Sequence, residues 1–260
     1  MKSKREAPGN IASTVVTAVD ILEYIADRGK VYPRDITHDL GLNRSTVHRM
    51  LYTLERLNYV DKYADGRYRL TFRLFEIGNT VPHSYNLIDT ARRELLELSH
   101  ITGFTVNHGI NYADQVLYVD KATPAAYLQL DRSVGESEPL HCTSIGKVLL
   151  AHLEDQELKE TIDRLALTPY TPNTLVSPDT LYNEIIDVRK NGYAVDRQEL
   201  AMEVRCVAVP VHGHTGANVS GISVSGPEDQ LTLEKIERVL PTLQATAARI
   251  ERNIRNAISA

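Results

Sequence analysis

Tryptophan is absent from this 260-residue chain, phenylalanine occurs three times and cysteine twice. Two cysteines, Cys142 and Cys206, are too few for a disulfide framework or a structural zinc ribbon. No apolar run approaches the roughly 20 residues that span a bilayer. The opening stretch MKSKREAPGN is basic but lacks the apolar core of a secretion signal, so residues 1–10 are expected to be a flexible arm. These absences predict a cytoplasmic protein with no membrane partner. Repeats and low-complexity tracts are also missing, while 42 % hydrophobic content is ample for globular cores. A positive surplus is lacking too: the formal net charge of −5 by itself argues against a nucleic-acid partner.

The charge is unevenly divided. Residues 1–82 hold 13 lysines and arginines against 10 acidic residues, and the remainder holds 16 against 24. A mildly basic head on an acidic body fits two domains with different partners, and the length also exceeds one typical domain.

Within the head, PRDITHDLGLNRSTVHRMLYTLERLNYVDKYADGRYRL (33–70) carries a helix-turn-helix pattern. Ile36 and Leu40 lie four apart on one helical face, and Gly41 follows where a helix stop needs positive φ. Leu42 is placed to plug the interhelical angle, and Asn43 is an N-cap candidate. Val47, Leu51, Leu54 and Leu57 form the inner stripe of the next helix. Its other face shows Arg44, Ser45, Thr46, His48, Arg49, Tyr52 and Thr53, almost all hydrogen-bond donors and none acidic, which suits phosphates and base edges. Val15, Val19, Leu22 and Ile25 are expected to face inward on a preceding helix that starts near Ser13 or Thr14. Downstream, Tyr59–Tyr63 and Arg67–Leu70 flank the turn signal Ala64-Asp65-Gly66, a hairpin whose Arg67 and Arg69 alternate outward as a wing would require. A helical hairpin that merely packs on another domain is the plain alternative. Three helices, a donor-rich third face and a following wing favour double-stranded operator DNA as the partner.

The domain boundary is expected near residue 82. LTFRLFEIG (70–78) places Leu74 and Ile77 on one face of a linker helix, assigned to 74–82, before Gly78, Asn79 and Pro82 break the pattern. A winged domain is thus assigned to 11–73 and a second domain to 83–258. The latter starts with a helix over 90–100, then strands at 104–110 and 115–122 around a hairpin, and a strand candidate at 127–132. A loop rich in glycine and acid leads to LHCTSIGKVLLAHL, where Thr143 or Ser144 caps a short helix. Helices at 155–165 and 178–191, strands at 193–196, 206–213 and 218–226, and a terminal helix from Leu233 to Ile254 complete it. Strands in two groups with helices between and after them indicate an α+β fold with a mostly antiparallel sheet.

The winged segment with RSTVHRML, the LTFRLFEIG linker, PLHCTSIGKVLLA, GYAVDRQE, and VRCVAVPVHG followed by VSGISVSGP together resemble the isocitrate-lyase-regulator (IclR) family of transcription factors, in the right order over essentially the whole chain. The resemblance implies a winged DNA-binding domain, a linker helix and a GAF-like effector domain for small organic acids, working as a homodimer or homotetramer. It implies that the Ser144-Ile145 loop offers backbone amides to an effector carboxylate, and that Asp196, Cys206, Ser223 and Ser225 line the same pocket. Other members often have Gly and Ala where this chain has Ser144 and Ile145, so the larger side chains would trim the pocket or add a donor. SIGKVLLA with VRCVAVPV looks closest to members that sense sugar acids, of the ketodeoxygluconate type.

The residues carry part of this by themselves. Thr143 to Gly146 at a helix start present free amides and a positive dipole end. Ser223 and Ser225 alternate on a strand, so both hydroxyls face one side, with Ile222 and Val224 opposite. Buried serines need hydrogen-bond partners, which a polar ligand or neighbouring backbone would supply. Cys206 in an apolar run reads equally as a small buried hydrophobe, and Asp196 beside Arg197 as a paired surface charge. Cys206 with His141, His212 and His214 offers a nucleophile pair or a metal site as a competing reading. However, the glycines around His212-Gly213-His214 make that segment a turn, and no orienting group or oxyanion site is assignable. The expectation is therefore a non-enzyme without cofactor or metal: a repressor of catabolic genes relieved by a sugar acid or keto acid. An activator answering to an aromatic or aliphatic acid is the alternative; a DNA-tethered enzyme or metal-sensing regulator ranks below it.

Overall fold

The computed structural model describes residues 11–80, 87–124, 133–213 and 218–258. The arm at 1–10, the strand expected over 127–132 and His214 lie outside them. The chain divides into two compact units, Met1–Val81 and Pro82–Ala260.

The first unit runs α1 (Ser13–Arg28), α2 (Pro33–Asp39), α3 (Arg44–Arg56), β1 (Val60–Lys62), β2 (Tyr68–Leu70) and α4 (Arg73–Gly78). Pro33, with its φ already helical, opens α2, and the Asp35 carboxylate accepts the Tyr32 amide in front of it. Gly41 takes φ 64° to turn the chain into α3. Ile21, Ile25, Ile36, Val47 and Leu51 form a core closed to solvent. The Tyr24 hydroxyl donates to Asp39 over 2.8 Å and Arg28 donates to the same carboxylate, which ties α1 to α2. Burial, then the bond to Asp39, push the Tyr24 hydroxyl up to about 12. In the wing, Val60 pairs with Leu70 and Lys62 with Tyr68, and Gly66 takes φ 87° in the turn.

Two local expectations are corrected. The inner residues of α1 are Ile21, Tyr24 and Ile25, whereas Val15 and Val19 are 62 % and 41 % exposed. Val19 lies about 200° around the helix from Ile21, so the side of α1 that meets the core is that of Ile21, Tyr24 and Ile25 and not the stripe through Val15 and Val19. α1 starts at Ser13, where the sequence placed it, with Ala12 as its N-cap. Leu57 caps the end of α3 and is exposed, while Met50 takes the inner place. α4 buries none of its residues.

The second unit comprises α5 (Leu87–Thr102), β3 (Thr105–Tyr112), β4 (Gln115–Ala122), β5 (Ser137–Pro139), α6 (Ser144–Leu150), α7 (Asp155–Arg164), α8 (Pro178–Asn191), β6 (Ala194–Asp196), β7 (Val204–His212), β8 (Asn218–Pro227) and α9 (Leu233–Ile258). The six strands form one antiparallel sheet in the order β5-β4-β3-β8-β7-β6. β5 falls where the sequence suggested only a loop. Ala113 and Asp114, both at positive φ, close the β3–β4 hairpin in two residues.

Period-2 alternation divides the sheet. Val106, Val207, Val209, Ile222 and Val224 pack against Leu95 and Leu98 of α5 and Ile236, Leu243 and Ile250 of α9. On the other side α6 is buried along its whole length, with Ile145, Val148 and Leu149 in a second core shared with α7 and α8. No described helix is long and apolar enough to cross a membrane.

Candidate functional site

In α3 the inner stripe of Val47, Met50, Leu51 and Leu54 leaves Arg44, Ser45, His48, Arg49, Tyr52 and Thr53 exposed and Thr46 half-buried. Every exposed polar group on that stretch can donate, and the two arginines are free of intramolecular ion pairs among the described residues. The wing differs. Arg67 is half-buried, held by the Asp65 carboxylate through its Nε and stacked 5.9 Å from the Tyr32 ring. Arg69 reaches Asp61 and lies 5.0 Å from the Tyr63 ring. Such pairs at the surface add little stability. Their effect is to orient the wing's cations.

The second site is a cavity of about 480 Å³ in the other unit. It exists because polar residues repeat on one face of the sheet where apolar ones fill the opposite face. Asp196 stands opposite Cys206, Cys206 opposite Ser225, and Ser225 opposite Thr105, one lateral row across β6, β7, β8 and β3. The next row pairs Ser223 with Asn107. The Asn107 amide donates to Ser225 Oγ over 3.1 Å and to Ser223 Oγ over 3.4 Å, so both serines have a protein partner. Glu138 of β5 accepts the Tyr118 hydroxyl at 2.6 Å, and both line the cavity. The segment 200–204 forms another wall.

α6 points its start at this space. Thr143 is its N-cap, and its hydroxyl accepts the Gly146 amide while donating to the Pro139 carbonyl. The amides of Ser144 and Ile145 are among those a helix leaves without an intrahelical acceptor. Ser144 lines the cavity. Ile145 does not: it packs on the sheet at Gly109 and Gly221, where an added methyl on either would come within 3.2 Å of its Cγ2. The glycines make room for it, so Ile145 does not trim the cavity and any contact it makes there falls to its backbone amide.

Lys147 was missed in the sequence. Its side chain is wholly buried, and Nζ donates to Glu199 Oε1 at 2.6 Å, the Val195 carbonyl at 2.6 Å and Glu184 Oε1 at 3.1 Å. All three ammonium protons are thereby used. Glu199 is fixed again through its carbonyl, which accepts the Thr174 hydroxyl at 2.6 Å, and through its amide, which donates to Asp196 Oδ1 at 2.7 Å. This network holds the 197–203 segment to the end of β6. The available signal was a lone lysine among the apolar residues of SIGKVLL; Asn107 left a fainter one, a polar residue at the alternate position of FTVNHGI.

Asp196 is 3 % exposed. Burial dominates the charge state of its carboxyl, pushing it up to about 7 against the pull of the Glu199 amide. Cys142, also buried, has its thiol pushed up by desolvation, which makes it a poor nucleophile. His141 bonds the Thr168 carbonyl and His212 bonds Glu251, and neither lines the cavity with Cys206. Among the described residues no group of three or more His, Cys, Asp or Glu side chains is arranged to hold a metal ion.

Residues 14–63 match the IclR helix-turn-helix domain, and residues 79–252 match the bacterial transcriptional regulator IclR C-terminal domain. The chain is 30 % identical over 239 residues to the HTH-type transcriptional regulator KdgR of Escherichia coli, covering 92 % of this chain and 91 % of that one. It is 35 % identical over 217 residues to the regulator XynR of the same organism, covering 83 % and 86 %. The crystal structure of the Thermotoga maritima IclR superposes with a TM-score of 0.77 at 32 % identity, over 94 % of this chain and all of the other. With a donor-faced winged helix in one unit and a polar cavity in the other, the chain belongs to the IclR family of ligand-responsive, DNA-binding transcriptional regulators.

Proposed function

We propose that this regulator represses catabolic genes and leaves its operator when a small organic acid, above all a sugar acid or 2-keto acid, fills the cavity. The observation that carries the reading is the cavity's lining: hydroxyls, an amide and carboxyls, a few apolar walls, and about 480 Å³ of room. That inventory suits a small hydroxylated metabolite. Ser144, Asp196, Cys206, Ser223 and Ser225 are the proposed contacts, with the Ser144 and Ile145 amides facing the ligand carboxylate. In support, the transcriptional repressor IclR of Escherichia coli is 28 % identical over 234 residues. An IclR homologue of the same fold, with a TM-score of 0.83 at 22 % identity, was crystallised with 4-hydroxybenzoate.

For DNA, Arg44, Ser45, Thr46, His48, Arg49 and Tyr52 are the proposed major-groove and phosphate contacts, with Arg67 on the backbone at the wing. The modest positive charge of the head makes a single copy a weak binder, so two copies on two half-sites are required. Val15 and Val19, exposed at i and i+4 along α1, with the exposed Ile11 ahead of its N-cap, give a second copy an apolar patch to cover. The proposed domain limits are 11–73 for the winged domain, 74–82 for the linker helix and 83–258 for the effector domain. The ligand acts by preferring one arrangement of the dimer, and so changes operator affinity by the factor by which the operator changes its own.

The test is an operator gel shift with sugar acids, 2-keto acids and aromatic acids. Release by a sugar or keto acid is the expected outcome. Tightening would instead mark an activator, and an operator complex indifferent to every acid would sink the acid reading.

A further inference from the structure

The cavity is an unusual host for an anion. Glu138, Asp196 and Glu203 line it, and among the described lining residues there is no lysine, arginine or histidine. The nearest buried cation, Lys147, has all three ammonium protons committed to Glu184, Glu199 and the Val195 carbonyl. Arg197 is exposed and pairs with Glu184. An ionised Asp196 about 4 Å from a ligand carboxylate would weaken binding about a thousandfold at an effective dielectric near 20.

From this arrangement, which rests on the acid reading above, we propose that Asp196 is the protonated donor of the binding site, so that the ligand anion is taken up together with one proton. A neutral carboxyl removes the repulsion and supplies an O–H to the ligand's oxygen, a short charge-assisted bond. The surroundings of Asp196 favour that form. Burial is the largest influence, Glu199 and Glu138 add negative charge, and Lys147 opposes them only in part because Glu199 and Glu184 already neutralise it. Glu203 lies on the same wall. The thiols of Cys142 and Cys206 and the Tyr118 hydroxyl add no positive charge at any pH. The Glu199 amide donates to Asp196 Oδ1 and orients the carboxyl at the end of β6. Near neutral pH Asp196 sits close to its midpoint, where a bound anion completes its protonation.

Calorimetric titration of the intact protein with each acid of the panel, in phosphate and in Tris at pH 6 and pH 8, reads the proton directly. The binding acid should take up about one proton at pH 8 and far less at pH 6, and its affinity should fall about tenfold per pH unit above about 7. Asp196→Asn, neutral at every pH, should bind with no proton uptake and a flat pH dependence; its melting curve checks that it is folded. An acid bound at pH 8 with no proton uptake overturns the inference and leaves the acid reading standing. Affinity that rises with pH overturns it too, because an ionised Asp196 would then be accepting ligand hydroxyls. If no acid of the panel binds at either pH, the acid reading and this inference fall together.

Discussion

Lys147 Nζ lies 2.6 Å from Glu199 Oε1, with the lysine side chain fully buried and the glutamate side chain 4 % exposed. The pair joins α6 to the segment that walls the cavity, and no solvent screens it. Losing one member is far more harmful than losing both, because the survivor is a charge without a partner in a dry interior. Lys147→Met should therefore destabilise the protein by about 3–5 kcal/mol in urea unfolding. Adding Glu199→Gln to it should recover part of that loss. Equal stability of the single and double variants would show that the two charges do not depend on each other.

Two buried groups set opposite pH slopes. Burial lowers His108 from 6.5 to about 4, so between those values the unfolded chain holds a proton that the folded one refuses, and stability falls as pH falls. Asp196 behaves inversely: raised from 3.8 to about 7, it binds a proton in the folded state first, and stability rises as pH falls through that window. At about 1.4 kcal/mol per unit the two contributions are each roughly 3–4 kcal/mol and largely cancel between pH 7 and 4. The wild type should thus lose less melting temperature on acidification over this range than Asp196→Asn, which lacks the offsetting group. A variant profile parallel to the wild type would contradict the charge state assigned to Asp196.

Gly146 tolerates no side chain. A Cβ there would lie 2.2 Å from the Leu140 carbonyl oxygen, which is backbone and cannot swing aside. Gly146→Ala, usually favourable inside a helix, should cost about 2 kcal/mol or more, measured by urea unfolding. A neutral or stabilising effect would mean that α6 and the preceding chain are not so closely apposed.

Arg49→Ala should weaken operator binding by about tenfold or more, the scale of one lost base or phosphate contact, without altering the melting shift that the ligand produces. Binding isotherms at two salt concentrations separate the roles: a phosphate contact reduces the salt slope by about one, and a base contact leaves it unchanged. Loss of the ligand's melting shift as well would identify Arg49 as structural.

Local patterns were legible wherever one period decided the outcome. Helical spacing placed Val47, Leu51 and Leu54 inside α3, and period-2 alternation put Ser223 and Ser225 on one face of β8 with Ile222 and Val224 on the other. Spacing misplaced Val15 and Val19, because α1 carries apolar residues on more than one side and periodicity alone does not say which side meets the core. β5 escaped notice because three residues are too few to show alternation.

By itself the sequence determined the order of the elements other than β5, the donor-rich face of α3 and the two-sided sheet. These follow from backbone geometry acting over a few neighbouring residues. The tertiary structure decided what the cavity is made of. Asp196, Glu138, Lys147 and Glu199 meet only because distant strands and α6 converge, and the register that sets Asp196 beside Cys206 belongs to the sheet as a whole. The charge state of a carboxyl depends on everything within a few ångströms of it, so the identity of Asp196 was written in the chain, and its readiness to hold a proton was settled only when burial removed the water around it.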